Sequence, residues 1–461
     1  MPSVKIDENK KVSAMMNKLS AYIAGAGKRK LPGNVLEKTK HHVLDTLAAM
    51  ISGSRLEPGK YAIKFARSQG GKAEATVIGS KIVTNAINAA LSNGMHAHAD
   101  ETDDSHQRGR YHPGCGTIAA ALAVAERQRS SGLDLLKAVA LGYDIGVRFN
   151  LSLGASHLND EEHSTHSIGS IFGAAAAVGL LMKFNQKQIR HLLSYTVQQA
   201  SGVPCWTRDL DHIEKAFDFA GMPARDAVTA AVMIELGFTG VEDALSGNKN
   251  FFKVFTATPK LNEITNGLGK RFEILDAQIK KWSVGMPNQS VLDALEILIR
   301  DHDFKPGNIE NVAIRIPNKR FHVSDNSLMP DICTQHLASI MLLDGTVTLK
   351  SSHDEKRMRG KKVLALRKRV QLIPDDALVN AKPLRQGIVE ITLKDGRKIR
   401  HHTRAVHGTP QNPMNRNEVE AKAHDLISGA LGKKKSQRLI KMIWSLEKVP
   451  NMRKIRPTLQ S

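Results

Sequence analysis

Residues 168–182 read IGSIFGAAAAVGLLM, an apolar run too long for one strand, with its bulky residues at helical spacing and Ala174–Ala177 between them. A run of this kind is expected to form a helix packed closely against other helices, because small side chains let backbones approach. Ile118 to Arg127, Leu133 to Gly142 and Ala224 to Leu236 repeat the pattern. Further upstream, Asn34 with Glu37 reads as a capping box ahead of Val35, Leu36, Val43, Leu44, Leu47, Ala48 and Ile51, with Gly53 as the stop. The first 260 residues or so are therefore expected to form a tightly packed helical core.

The pattern changes near Gly269. Asn311 to Ile316 alternates apolar and polar residues, and Gly387 to Leu393 does so before Asp395-Gly396 and Lys398-Ile399, a hairpin signal. Val363 to Ile373 is strand-like towards its end, Asp331 to Leu343 is helical, and the chain turns helical again from Asn417. The expected organisation is a helical domain over 1–268, an inserted α+β module over 269–404 and a return to the helical domain over 405–461. An insertion of this kind suits a ligand cleft at the domain boundary.

The net charge of +21 gathers in Lys356 to Arg369 and in the tail from Lys433 to Arg456. In the tail it alternates with Leu439, Ile440, Ile443, Trp444 and Leu446, the pattern of a packed helix with one wet face. Aromatic residues are only 5% of the chain, too few for a stacking platform, so no nucleic acid partner is expected. A positive field that draws in small anions is the expected use of the charge. No stretch approaches the roughly 20 apolar residues of a membrane span. The charged start, Met1 to Lys11, lacks the apolar run of a signal peptide. Cys115, Cys205 and Cys333 are scattered without metal-site or disulfide spacing, which fits a cytoplasmic protein.

Chemistry concentrates in residues 93–106, NGMHAHADETDDSH, followed by His112-Pro113-Gly114. His96, His98 and His106 stand among Asp100, Glu101, Asp103 and Asp104, and crowding of this kind moves pKa values towards the working range of acids and bases. Pro113 disfavours a helical conformation at His112, placing its imidazole at a loop mouth ahead of a helix starting near Thr117. Glu161-Glu162-His163-Ser164-Thr165-His166-Ser167 opens a second helix, whose N-terminus favours anions. Asp209 to Lys215 and Lys280-Lys281-Trp282 complete the polar clusters. Taken singly, each has a plainer explanation as caps, core histidines or surface charge. The acidic run Asp100–His106 also suits a metal-dependent hydrolase or a Mg²⁺-phosphate enzyme, since hard cations take clustered oxygens.

Together the clusters follow a longer order: NGxxxHA and HPG at 93–114, HSTHSIGSIFGAAAA at 163–177, KAFDFAGMPARDAVTAA at 215–231 with GFTG at 237–240, IKKWSVGMP at 279–287, and QHLASIMLLDG with HDEKRM at 335–358. This order resembles the MmgE/PrpD family from about residue 20 to 425. The resemblance implies a mainly α fold, a large all-helical domain with an inserted smaller α+β lid domain, and a homodimer without metal or organic cofactor. It implies a lyase (dehydratase or decarboxylase) or an epimerase acting beside a carboxylate of a small di- or tricarboxylic acid. It places catalysis on His112, His163 and Lys215, and substrate binding on Glu101, Ser105, Lys280 or Lys281, and His336. Glu101 stands where the family has Asp and His336 where the decarboxylase has Tyr, departures that suit a substrate with an additional polar or cationic group.

Overall fold

The computed structural model describes residues 12–160 and 162–461, so the Met1–Lys11 stretch and Glu161 lie outside the described residues. The chain is mainly helical with a small sheet. It divides into two compact units, Met1–Ala277 with Leu426–Ser461, and Gln278–Asp425.

The first unit is built on helices α1 (Gly33–Gly53), α2 (Ala86–Ala97), α3 (Pro113–Arg127), α4 (Gly132–Ser152), α5 (His166–Leu181) and α6 (Met222–Glu235). Helix α5 contains the run that suggested a helical core, and Ser167 to Leu181 are all buried. Its small residues have a definite use. A Cβ on Gly142 of α4 would come within 2.8 Å of the Gly173 carbonyl, and one on Gly173 within 2.7 Å of the Gly142 carbonyl. The backbones touch there, and only glycine permits it.

Two local expectations are corrected. Helix α1 starts at Gly33 after Pro32 and has no side-chain cap, so Asn34 falls inside the first turn and Glu37 turns instead to His41, 3.5 Å away. The helix does end at Gly53 as expected, with Ser54 as its C-cap at φ −58° and no left-handed residue. Gly53 is small because a Cβ there would lie 2.0 Å from the His96 carbonyl of α2. Likewise α3 starts at Pro113 rather than near Thr117, the ring's fixed φ being suited to a first helical position. In the tail, α7 (Lys433–Trp444) buries Leu439, Ile440 and Ile443 while Lys433, Lys434, Arg438 and Lys441 stay exposed, the one-sided pattern of its sequence.

The second unit holds a four-stranded sheet of β1 (Ile309–Pro317), β2 (Val370–Asp375), β3 (Gly387–Leu393) and β4 (Lys398–Thr403), ordered β2-β1-β3-β4. β1 and β2 are parallel, and the other pairs are antiparallel, with β3 and β4 forming the hairpin. Val363 begins inside a short helix, Lys361–Arg367, and only the end of that segment is strand. The helices Gln289–Asp301 and Thr334–Asp344 share the sheet's apolar core. Among the described residues no helix is long and apolar enough to cross a membrane.

Candidate active site

Helix α2 ends at His98, and the chain then turns back through the acidic run, where Asp100 accepts a hydrogen bond from the Thr102 N–H at 2.8 Å. The neighbouring carboxylates diverge. Asp104 accepts from the Tyr143 hydroxyl at 2.5 Å, from His42 Nδ1 at 2.6 Å and from the Gly114 N–H at 3.0 Å, pinning the His112–Gly114 segment to α1 and α4. Asp103 Oδ1 instead faces His98 Nδ1 at 3.0 Å and His112 Nδ1 at 3.2 Å. A carboxylate at Nδ1 fixes that nitrogen as the donor and leaves Nε2 of each ring to act as base or ligand.

Four imidazoles collect there. His112 caps α3 and His166 opens α5. The His112 ring lies 4.8 Å from His98 and 5.6 Å from His166, and His212 lies 5.2 Å from His98. Phe219 lies against three of them, stacked on His98 at 4.4 Å and on His166 at 3.7 Å and tilted to His112 at 5.7 Å. It is carried by a π-helical turn, Phe217–Gly221, between the short helix Ile213–Ala216 and α6. The extra residue of a π-turn re-aims its side chains, and such turns concentrate at functional sites. Lys215 pairs with Glu101 and stands 5.3 Å from the Phe219 ring and 5.7 Å from Trp206.

Burial sets the electrostatics. It pushes His166 and His212 well below the usual imidazole range, with His112 adding to the effect at His166 and Lys215 at His212, and it also lowers His98. These rings are neutral at pH 7. Burial alone would raise the Asp103 carboxyl, but His112 and His98 outweigh it and hold it well below the carboxylate range. The site thus has a fixed anion, a lysine and neutral imidazoles, with two helix N-termini beside them. That combination can orient a carboxylate and move a proton next to it.

Of the residues the resemblance implies, His112 stands in the ring cluster and Lys215 pairs with Glu101. Ser105 is buried on the two-residue strand Ser105–His106. His163 does not join the rings; its imidazole faces Phe255 at 6.2 Å, and His166, three residues on, stands beside His112 instead. His98, Asp103 and His166 stood in the polar clusters without an assigned role; His212, in the Asp209–Lys215 cluster, and Phe219, inside the 215–231 motif, were not singled out. In the second unit Lys280 is buried, whereas Lys281 pairs with Glu296 and lies 4.7 Å from the Trp282 ring, which separates two lysines the sequence left equivalent. His336 is buried in the helix Thr334–Asp344, and burial, aided by Arg367 and Arg357, takes it down to about 4.

Among the described residues, three groups could hold a cation: His98 with Glu101 and His212, His98 with Asp103 and Cys115, and His106 with Glu273 and Asp276. No two of Asp100, Glu101, Asp103 and Asp104 share a group. The oxygen cage suggested by the acidic run is therefore not formed among the described residues.

Residues 17–264 match the MmgE/PrpD N-terminal domain and residues 282–448 the MmgE/PrpD C-terminal domain. The chain belongs to the MmgE/PrpD family. It is similar to the cis-aconitate decarboxylase of Homo sapiens, 26% identical over 440 residues covering 90% of this chain and 88% of that protein. The cis-aconitate decarboxylase of Mus musculus is 24% identical over 95% of this chain and 91% of its own length. A cis-aconitate decarboxylase-like protein of Aspergillus oryzae is 27% identical over 59% of each chain.

Proposed function

We propose that this protein is a lyase of the dehydratase or decarboxylase type, acting on a small carboxylic acid at the carbon next to a carboxylate. Membership of the MmgE/PrpD family and the similarity to cis-aconitate decarboxylases support the class. The observation that carries the chemistry is the Asp103–His112 contact at 3.2 Å, with the His112 side chain only 11% exposed. Asp103 holds the proton on Nδ1, Nε2 takes a proton from carbon or returns one to it, and the carboxylate stabilises the imidazolium formed between. In decarboxylation Nε2 first takes a proton from water; the bond to the departing carboxylate then breaks to release CO₂, its electron pair stays on the carbon skeleton, and the Nε2 proton moves to that carbon.

Lys215 serves as carboxylate partner, exchanging Glu101 for the substrate. His166, neutral in its ring stack, is the second histidine of the reaction in preference to His163. Lys280 and His336 keep the substrate-binding roles that the resemblance implies, and with them go a homodimer and a cytoplasmic location. Epimerisation is a second reading, favoured by Glu101, whose longer reach suits an amino-dicarboxylate.

Incubating the protein with cis-aconitate, 2-methylcitrate and an amino-dicarboxylate in D₂O, followed by proton NMR, separates these readings. Loss of CO₂ or water from one of the first two is expected. Inversion of the amino-dicarboxylate alone would replace the lyase with an epimerase, and no conversion of small carboxylic acids at all would overturn the proposal.

A further inference from the structure

His98 and His212 each bury an Nε2 that meets no hydrogen-bond partner, in side chains almost wholly withdrawn from solvent. Withholding a partner from a buried polar atom is costly, and here two such atoms sit on rings 5.2 Å apart. One ligand atom from each of His98, Glu101 and His212 lies within 4.8 Å of the other two. Two imidazoles and a carboxylate form a borderline donor set with one position left open, the arrangement that suits Zn²⁺ or Co²⁺ better than Mg²⁺. Tetrahedral coordination at about 2.1 Å needs its ligands roughly 3.4 Å apart, so atoms within 4.8 Å of one another have to close by at most about 1.4 Å. Glu101 has the chain length to supply that movement, where an aspartate would fall a methylene short.

The other two candidate groups are less suited. Asp103 is already shared by two histidines, and burial pushes the Cys115 thiol well above its usual range, away from the thiolate a metal needs. Glu273 already faces two guanidinium groups, Arg271 at 2.6 Å and Arg108 at 3.8 Å. At the His98 group Lys215 is a competing cation, a flexible side chain paired with Glu101.

We propose that His98, Glu101 and His212 form a regulatory site for a zinc-type divalent cation, whose occupation and the Lys215–Glu101 ion pair exclude each other. A bound cation takes the lysine's carboxylate and fills the ring cluster next to His112, so it acts on the proposed reaction by occupying the site. The site itself does not depend on that reading, because binding is measured without substrate; failure of either leaves the other standing.

Co²⁺ is the probe, titrated into the full chain at neutral pH and read by the visible bands of tetrahedral Co²⁺. Saturation at one Co²⁺ per chain is expected. His212→Ala and Glu101→Gln should lose the bands, while His163→Ala, outside the ring cluster, keeps them; far-ultraviolet circular dichroism checks that each variant is folded. Lys215→Met should bind Co²⁺ at least about tenfold more tightly, the effect of roughly 1.4 kcal/mol of lost competition. Absence of one-to-one bands in both the wild type and Lys215→Met, bands that survive in folded His212→Ala, or a Lys215→Met affinity no tighter than wild type would each overturn the proposal.

Discussion

Three residues separate His163 from His166, and that step decides which imidazole reaches His112. Helix α5 begins at His166, with Thr165 as its cap, so His166 is carried by the first turn over Phe219 while His163 stays on the preceding loop. Both histidines were legible as belonging to one polar knot. Which of them turns inward depends on where the helix starts, and a one-residue difference there is beyond what periodicity fixes. His166→Ala should lower kcat by about 10²–10⁴, the scale of a general acid or base, with His163→Ala within a few-fold of wild type. Steady-state kinetics on the true substrate checks the pair, and a reversed order would return the role to His163. Lys215→Met should act chiefly on KM and on inhibition by simple dicarboxylates. An unchanged inhibition constant would remove Lys215 from the site.

Helices meet helices here through glycine. Small residues in α4 and α5 were legible as a sign of close packing, but the partner of each was not, because contact between Gly142 and Gly173 joins positions 31 residues apart in the chain. The same holds for Gly53, which ends α1 as the sequence suggested and also lets it approach the His96 carbonyl, a contact the sequence did not show. Such sites test the packing directly. Gly142→Ala places a methyl 2.4 Å from the Thr117 methyl as well as against Gly173, and overpacking of this kind costs about 1–3 kcal/mol. Urea unfolding should show that loss. A variant as stable as wild type would mean that α4 and α5 separate more easily than their buried surfaces imply.

At the scale of the molecule, the helical core and the inserted sheet were readable from periodicity, whereas the site was readable only in part because it forms from segments that spacing cannot bring together. Asp103 and Asp104 are neighbours in the chain and yet serve different histidines. Burial of so many imidazoles also has a cost in acid. His96 is taken down to about 4 and His106 to about 3, mainly by burial. A histidine depressed in the fold gives no pH effect above its unfolded value of about 6.5; as pH falls below that, the unfolded chain takes up the proton first and stability is lost. His96 alone contributes a loss of about 3 kcal/mol between pH 6.5 and 4. Denaturant midpoints followed across that range should fall steadily, and a flat profile would contradict neutral, buried histidines.

The central claim is that Asp103 and His112 together move a proton at the carbon beside a carboxylate. The most direct measurement is deuterium incorporation at that carbon, followed by proton NMR in D₂O on the substrate that is turned over, for wild type, His112→Ala and Asp103→Asn. Incorporation by wild type is expected, with losses of about 10²-fold or more in both variants while folding is retained. Wild-type turnover with no deuterium at that carbon, or incorporation that persists unchanged in His112→Ala, would contradict it.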